Sequence, residues 1–132
     1  MFRVGHEYWF RDGKKVGYQI GTTEKRKYIG ILDIATNEYY EYPFADDKHT
    51  QCNSLGNLFV GDGMPKDPSI SIYKIDGLKL KRTVLFRHDS SYKDEEQHPH
   101  PIFSPDDKTI FFTTDREGNS NIYIIALPKD VY

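Results

Sequence analysis

Apolar and polar positions along this chain alternate in short runs broken by turn residues, the pattern of half-buried strands. Residues 8–20 read as two apolar-aromatic runs about Asp12-Gly13, a hairpin signal. A turn follows at 21–25, a strand at 26–34, a turn at 35–38 and a return strand at 39–42. The pattern restarts over 50–62, with a turn at Leu55-Gly56-Asn57 and a loop at 61–68. Ser69 to Ile75 alternates, Asp76-Gly77 turns, and Lys79 to Phe86 returns. A third round begins at His98, turns at Asp106-Asp107, and predicts strands at 109–113 and 121–127 before the chain stops at Tyr132. No segment holds a helical period over ten residues, so the chain reads as all-β.

The first turn of each round falls at Asp12-Gly13, Leu55-Gly56 and Asp106-Asp107, spaced by 43 and 51 residues. Units of four short antiparallel strands recurring at about 40–50 residues are the signature of propeller blades. The expected architecture is a single partial β-propeller domain over 1–132, with blade-like repeats at about 6–48, 49–97 and 98–132. A β-sandwich is the competitor, but it does not require its turns to recur in step. Propellers close with about four to eight blades. Two full blades and most of a third leave open strand edges, which invite self-association.

Ten Tyr and eight Phe in 132 residues suit strands. Charges nearly cancel at a net −2, which disfavours nucleic acid as a partner. No apolar run approaches the ~20 residues of a membrane span, and Met1 to His6 lacks a signal-peptide core. With one cysteine, Cys52, no internal disulfide forms. A reducing compartment, the cytoplasm, is the expected address, with Cys52 as a small packed side chain.

The chemistry concentrates in histidine. His6, His49 and His100 each stand seven residues before the aligned turn position, at Gly13, Gly56 and Asp107. Blade-to-blade rotation about a propeller's channel carries equivalent positions to one mouth. His98 joins them through His98-Pro99-His100-Pro101. A proline holds the residue before it extended, and extended residues two apart point the same way, about 7 Å apart. Imidazoles with oxygen donors beside them, here in Asp94-Glu95-Glu96-Gln97, suit Mn, Fe, Ni or Zn. A strand-capping role for the repeated histidine is the alternative. Gly61-Asp62-Gly63 reads as a turn, not a phosphate loop, and His88 as a structural loop residue. No zinc-finger spacing, Walker loop or serine elbow is present.

Several of these segments together resemble the C-terminal part of the oligogalacturonate lyases, pectin-degrading seven-bladed propellers. The carriers are His6-Glu7-Tyr8-Trp9 with Asp12-Gly13, the Gly56–Gly63 stretch, Arg87-His88-Asp89-Ser90-Ser91, His98-Pro99-His100-Pro101, Phe103 to Asp115, and Ala126-Leu127-Pro128. The resemblance implies a Mn²⁺ ion, or another divalent metal, held by His49, His98 and His100. His6 matches the family's catalytic base. The family's glutamine ligand falls at Glu95, with Gln97 the neighbouring candidate. A family arginine belongs to an earlier blade that this chain lacks.

The implied activity is metal-assisted β-elimination of oligogalacturonides, digalacturonate included, to unsaturated uronates. It is a carbon–oxygen lyase reaction, expected to be weak in so short a chain. A glycosidase would want two carboxylates flanking the bond, and no such pair stands out. A non-catalytic, WD40-like propeller fragment acting as a protein-interaction module is the alternative function class.

Overall fold

Three antiparallel sheets follow one another along the chain in the computed structural model, which describes residues 2–22, 27–44 and 47–132. The first contains β1 (Phe2–Trp9), β2 (Lys15–Thr22), β3 (Lys27–Asp33) and β4 (Tyr39–Pro43). The second contains β5 (Thr50–Cys52), β6 (Leu58–Gly61), β7 (Ser69–Asp76) and β8 (Lys79–Arg87). The third contains β9 (Ile102–Phe103), β10 (Thr109–Thr114) and β11 (Asn121–Ala126). Sequence neighbours are sheet neighbours throughout. Single 3-10 turns at Glu95–Gln97 and Lys129–Val131 are the helical pieces among the described residues. The first sheet starts at Phe2, ahead of His6. The turn expected at 21–25 lies mostly outside the described residues.

One turn is built three times. Gly13 N–H donates to Phe10 O, Gly56 N–H to Asn53 O, and Asp107 N–H to Ser104 O, at 3.0, 3.1 and 2.9 Å. In each, the residue that accepts also donates its own N–H five residues on, to Lys15, Leu58 and Thr109, at 2.9 Å. Gly13, Gly56 and Asp107 all take the left-handed conformation, with φ of 66°, 69° and 59°. That is routine for glycine and tolerated by aspartate. Equal turns set an equal phase for whatever stands seven residues earlier.

The sheets stack face to face around the second. All four residues of β6 are buried. Strand alternation sends Phe59 toward the first sheet, into a cluster with Phe10, Ile29, Ile31, Cys52 and Tyr73. Leu58 and Val60 point the other way, toward Ile70, Ile72, Ile110, Phe112, Leu127 and Val131. Each such side chain contributes about 1.5–3 kcal/mol when fully buried, so the middle sheet holds both neighbours. Asp107, in the third sheet's turn, accepts from Ser54 N at 3.0 Å and from Ser54 Oγ in the second's, stitching two turns together. Cys52 is buried in the first cluster, and burial pushes its thiol up to about 12, an inert packed residue.

The two outer faces stay apolar and open. On the third sheet Ile122 and Ile124 are 76% and 61% exposed, paired with Thr113 and Phe111 on the side away from the core. On the first, Val4, Val16, Tyr18, Leu32 and Tyr39 line a shallow groove.

Candidate metal centre and base

Each inner-edge strand delivers one histidine to the same place. His49 lies just before β5 and His100 just before β9. His6 lies inside β1 at a bulge, where the pairing steps from Gly5–Gln19 to Tyr8–Gly17. A bulge re-aims a side chain, and here it gives His6 a φ of 57°. The His6 and His49 rings stack at 4.8 Å between centroids. His49 and His100 stand 3.9 Å apart, His49 and His98 5.4 Å, His98 and His100 5.9 Å. A cleft of about 240 Å³ opens beside them, lined by His6, Glu7, His49, Gln51, His100 and Ile102 among others.

The two residues preceding prolines differ. His98 is extended as expected, with φ −74° and ψ 134°. His100 is not: its φ is 45°. Proline excludes the right-handed α conformation from its predecessor, and His100 escapes through positive φ instead of extension. Pro99 O accepts from Thr113 N at 2.9 Å, which ties this kinked segment to β10. The two rings therefore meet through a strained turn and not by strand alternation.

Ligand atoms of His49, Glu95, His98 and His100 lie within 4.8 Å of one another. His98 is 4% exposed. Its Nδ1 sits 3.0 Å from Glu95 Oε2 but is not aligned for a hydrogen bond, so this buried nitrogen has no hydrogen-bond partner. Lys48 Nζ stands 3.0 Å from His98 Nε2 and 5.5 Å from the centre of the Tyr92 ring. Three imidazoles, one carboxylate and an orphaned buried nitrogen are a donor set that fits a first-row divalent cation. Gln97 is placed differently. Its Oε1 accepts from Asp94 N at 3.1 Å and Ser91 Oγ at 3.2 Å, closing the 3-10 turn.

Behind His49 stands Asp62, with no exposed surface. Its Oδ1 accepts from His49 N at 2.8 Å and its Oδ2 lies 2.6 Å from His49 Nδ1. Asp62 O accepts from His88 Nε2 at 2.9 Å and Tyr92 Oη at 2.6 Å. His88 Nδ1 accepts from Ser90 N at 3.0 Å, and Thr114 Oγ1 donates to His88 O at 2.8 Å. His88 is thus a satisfied, buried packing residue joining two sheets. The glycines beside Asp62 are space-makers: a Cβ on Gly61 would come 2.8 Å from the Asp47 carboxyl carbon, and one on Gly63 would collide with Asp67 O. Gly61-Asp62-Gly63 is no phosphate cradle.

Burial, and then the neighbouring His49, lowers the pKa of both His6 and His100. His6 is therefore a neutral imidazole at neutral pH, free to accept a proton. Residues that sequence reasoning passed over are Lys48, Asp62 and Tyr92. Lys48 could have drawn notice as the neighbour of a phased histidine; nothing in the sequence pairs Asp62 with His49.

A family model described as oligogalacturonate lyase matches residues 3–131. The chain belongs to that family. It is 28% identical, in an alignment 148 positions long, to an oligogalacturonide lyase of Pectobacterium atrosepticum, and 29% identical, in one of 150 positions, to an oligogalacturonate lyase of Dickeya dadantii. Each alignment takes in 96% of this chain but only 38% of the relative. The backbone matches a solved oligogalacturonate lyase in complex with manganese, with a TM-score of 0.87 and 32% identity, covering 98% of this chain and 36% of that one. TolB from Acinetobacter baumannii matches at a TM-score of 0.71 and 20% identity, over 96% of this chain and 30% of that one, a likeness of fold. The three sheets of this lyase-family chain are blades of a β-propeller, as their repeat spacing predicts. An interaction module of WD40 type is not favoured by these relatives.

Proposed function

We propose that this chain carries the metal-binding and proton-abstracting part of an oligogalacturonide β-elimination site. The observation that carries the reading is the convergence of His49, Glu95, His98 and His100 beside His6. His49, His98 and His100 would hold Mn²⁺ or a similar divalent ion, with Glu95 as the oxygen ligand. Gln97, the other candidate, is engaged in the 3-10 turn. All four proposed ligands lie on this chain, although it spans 38% of its curated relatives.

When bound, the ion supplies positive charge beside a uronate carboxylate, which makes the proton on the adjacent C5 easier to remove. His6 stacks on a proposed ligand without joining the ligand cluster. Held neutral, it accepts the C5 proton. The electron pair released from C5–H forms the C4–C5 double bond as the C4–O4 bond breaks; O4 leaves with that bond's pair and takes a proton from solvent, to which His6 returns its own, giving an unsaturated uronate and a shortened chain. No water is consumed. Lys48 Nζ sits 3.0 Å from His98 Nε2 and so helps to set the orientation of that proposed ligand.

The relatives' names support this substrate class; digalacturonate is the simplest member to try. Unpaired Cys52 suits the cytoplasm, and no helix among the described residues is long and apolar enough to cross a membrane. The open faces of the outer sheets would favour self-association or pairing with further blades. Calorimetry with Mn²⁺ tests the site. Absence of uptake by the full 132-residue chain ends the reading; uptake followed by appearance of an ultraviolet-absorbing product from digalacturonate completes it.

A further inference from the structure

We infer that Asp62 is the positioning residue that fixes which nitrogen of His49 faces the metal. The inference rests on the proposed metal site but is read out separately from it. Both Asp62 oxygens are spent on His49: Oδ1 accepts its backbone N–H at 2.8 Å and Oδ2 lies 2.6 Å from its Nδ1. Asp62 has no exposed surface, and no lysine or arginine pairs with its carboxylate among the described residues. A buried carboxylate needs a donor on each oxygen, so His49 must carry its proton on Nδ1. That leaves the Nε2 lone pair free for a ligand. Carboxylates behind metal-bound imidazoles commonly act this way, orienting the ring and raising its basicity.

The carboxylate is itself immobilised. Asp62 O receives His88 Nε2 and Tyr92 Oη, and Asp62 N donates back to His49 O at 3.3 Å. Tyr92 also lies against the His98 ring, 5.4 Å between centroids. One residue thus fixes the ring of His49 through its side chain and is held through its carbonyl by a neighbour of His98. The role of the buried His88 is to support this anchor.

Asp62→Asn separates charge and tautomer from shape. Asparagine can keep its oxygen on the His49 backbone N–H, but its amide nitrogen then faces Nδ1. A donor there demands the Nδ1 lone pair, so the proton moves to Nε2 and the ligand position is blocked. Nitrogen-15 NMR of the full chain with chelator present, at a pH well above 7, reads the tautomer directly, the His49 signals being assigned by their loss in His49→Gln. The parent is expected to show Nδ1–H and Asp62→Asn to show Nε2–H, with Mn²⁺ affinity by calorimetry weakened about 10–100-fold. Nε2–H in the parent overturns the inference, whether or not the variant folds. Unchanged tautomer and unchanged affinity in a folded Asp62→Asn overturn it as well. A parent with Nδ1–H that takes up no Mn²⁺ overturns the ligand-presenting role together with the metal site, whereas a parent that binds Mn²⁺ through an Nε2–H-free His49 but loses nothing in Asp62→Asn overturns only the role of Asp62.

Discussion

His6 and His49 stack 4.8 Å apart, their planes within 14° of parallel, although one comes from the first sheet and the other from the second. A proposed base therefore rests on a proposed ligand without sharing its function. The contact also acts electrostatically on the base, because the neighbouring His49 helps to lower the pKa of His6.

The first prediction uses that separation. His6→Gln removes the base and leaves the four clustered ligands in place. Elimination is expected to fall by about 10²–10⁴-fold, while Mn²⁺ affinity stays within about threefold. The parent's rate is expected to rise as pH climbs through the lowered pKa of His6, below the ordinary ~6.5 of histidine, and to be level by neutral pH. A single rate–pH series with calorimetry on the variant checks both parts. Loss of metal binding in His6→Gln would move His6 into the ligand set.

The sequence made the histidine cluster legible because the turns repeat, and a turn is a local device. Gly13, Gly56 and Asp107 take the same left-handed conformation with the same hydrogen bonds, so a count of seven residues carries structural meaning. Strand alternation misled in β7, where the alternating Ser69 to Ile75 reads as a half-buried strand but Ser69 to Tyr73 are all buried, because sheets pack against both faces of the middle one. The sequence failed where long-range contacts decide. Nothing local announces that Asp62 reaches His49, thirteen positions earlier. Nor does a proline rule, which forbids one region, say that His100 will choose positive φ over extension.

Glu95 and Gln97 provide a second test, because they stand two residues apart with different partners. Glu95 Oε2 approaches His98 Nδ1 at 3.0 Å, whereas Gln97 Oε1 closes the turn onto Asp94 N at 3.1 Å. Glu95→Ala is expected to weaken Mn²⁺ binding at least about tenfold through loss of a ligand. Gln97→Ala is expected to leave it within about threefold and to cost about 1 kcal/mol of stability through the lost turn contact. Glu95→Gln keeps an oxygen donor and removes one negative charge, so KM for an oligogalacturonide should fall. Calorimetry, thermal melts and steady-state kinetics separate the three outcomes.

The outer face of the third sheet supports a third prediction. Ile122 and Ile124 are among its most exposed apolar side chains and sit on an edge strand, where uncovered backbone and apolar surface promote pairing. Ile122→Lys with Ile124→Lys is expected to shift the chain toward monomer in sedimentation velocity at micromolar concentration. Exposed substitutions of this kind change stability by only about 0.5 kcal/mol each, so the melting temperature should hold. Equal sedimentation of parent and variant, or a parent that is already monomeric, would show that this face does not drive self-association.

Stability against pH gives the last prediction, since two kinds of buried group oppose each other. Burial lowers the pKa of His88, and of His6 and His100. Below the ordinary histidine value of ~6.5 the unfolded chain binds protons that the folded chain resists, so stability falls as pH falls. His88, wholly buried, dominates this limb; the two more exposed rings contribute less. Asp47 acts with the opposite sign. Burial raises its carboxyl to about 7, against the donors Gly63 N and Tyr73 Oη. The unfolded aspartate ionises from about pH 4 upward while the folded one holds its proton, so the stability Asp47 contributes declines between about pH 4 and 7 and changes no further above that. With chelator present, the histidines raise the thermal midpoint toward about pH 6.5 while Asp47 opposes that rise, so the midpoint should level off near about pH 7. His88→Gln should flatten the rise below about pH 6.5, and Asp47→Asn should steepen it. An Asp47→Asn variant whose midpoint follows the parent's pH profile would show that Asp47 is already ionised in the folded chain across this range.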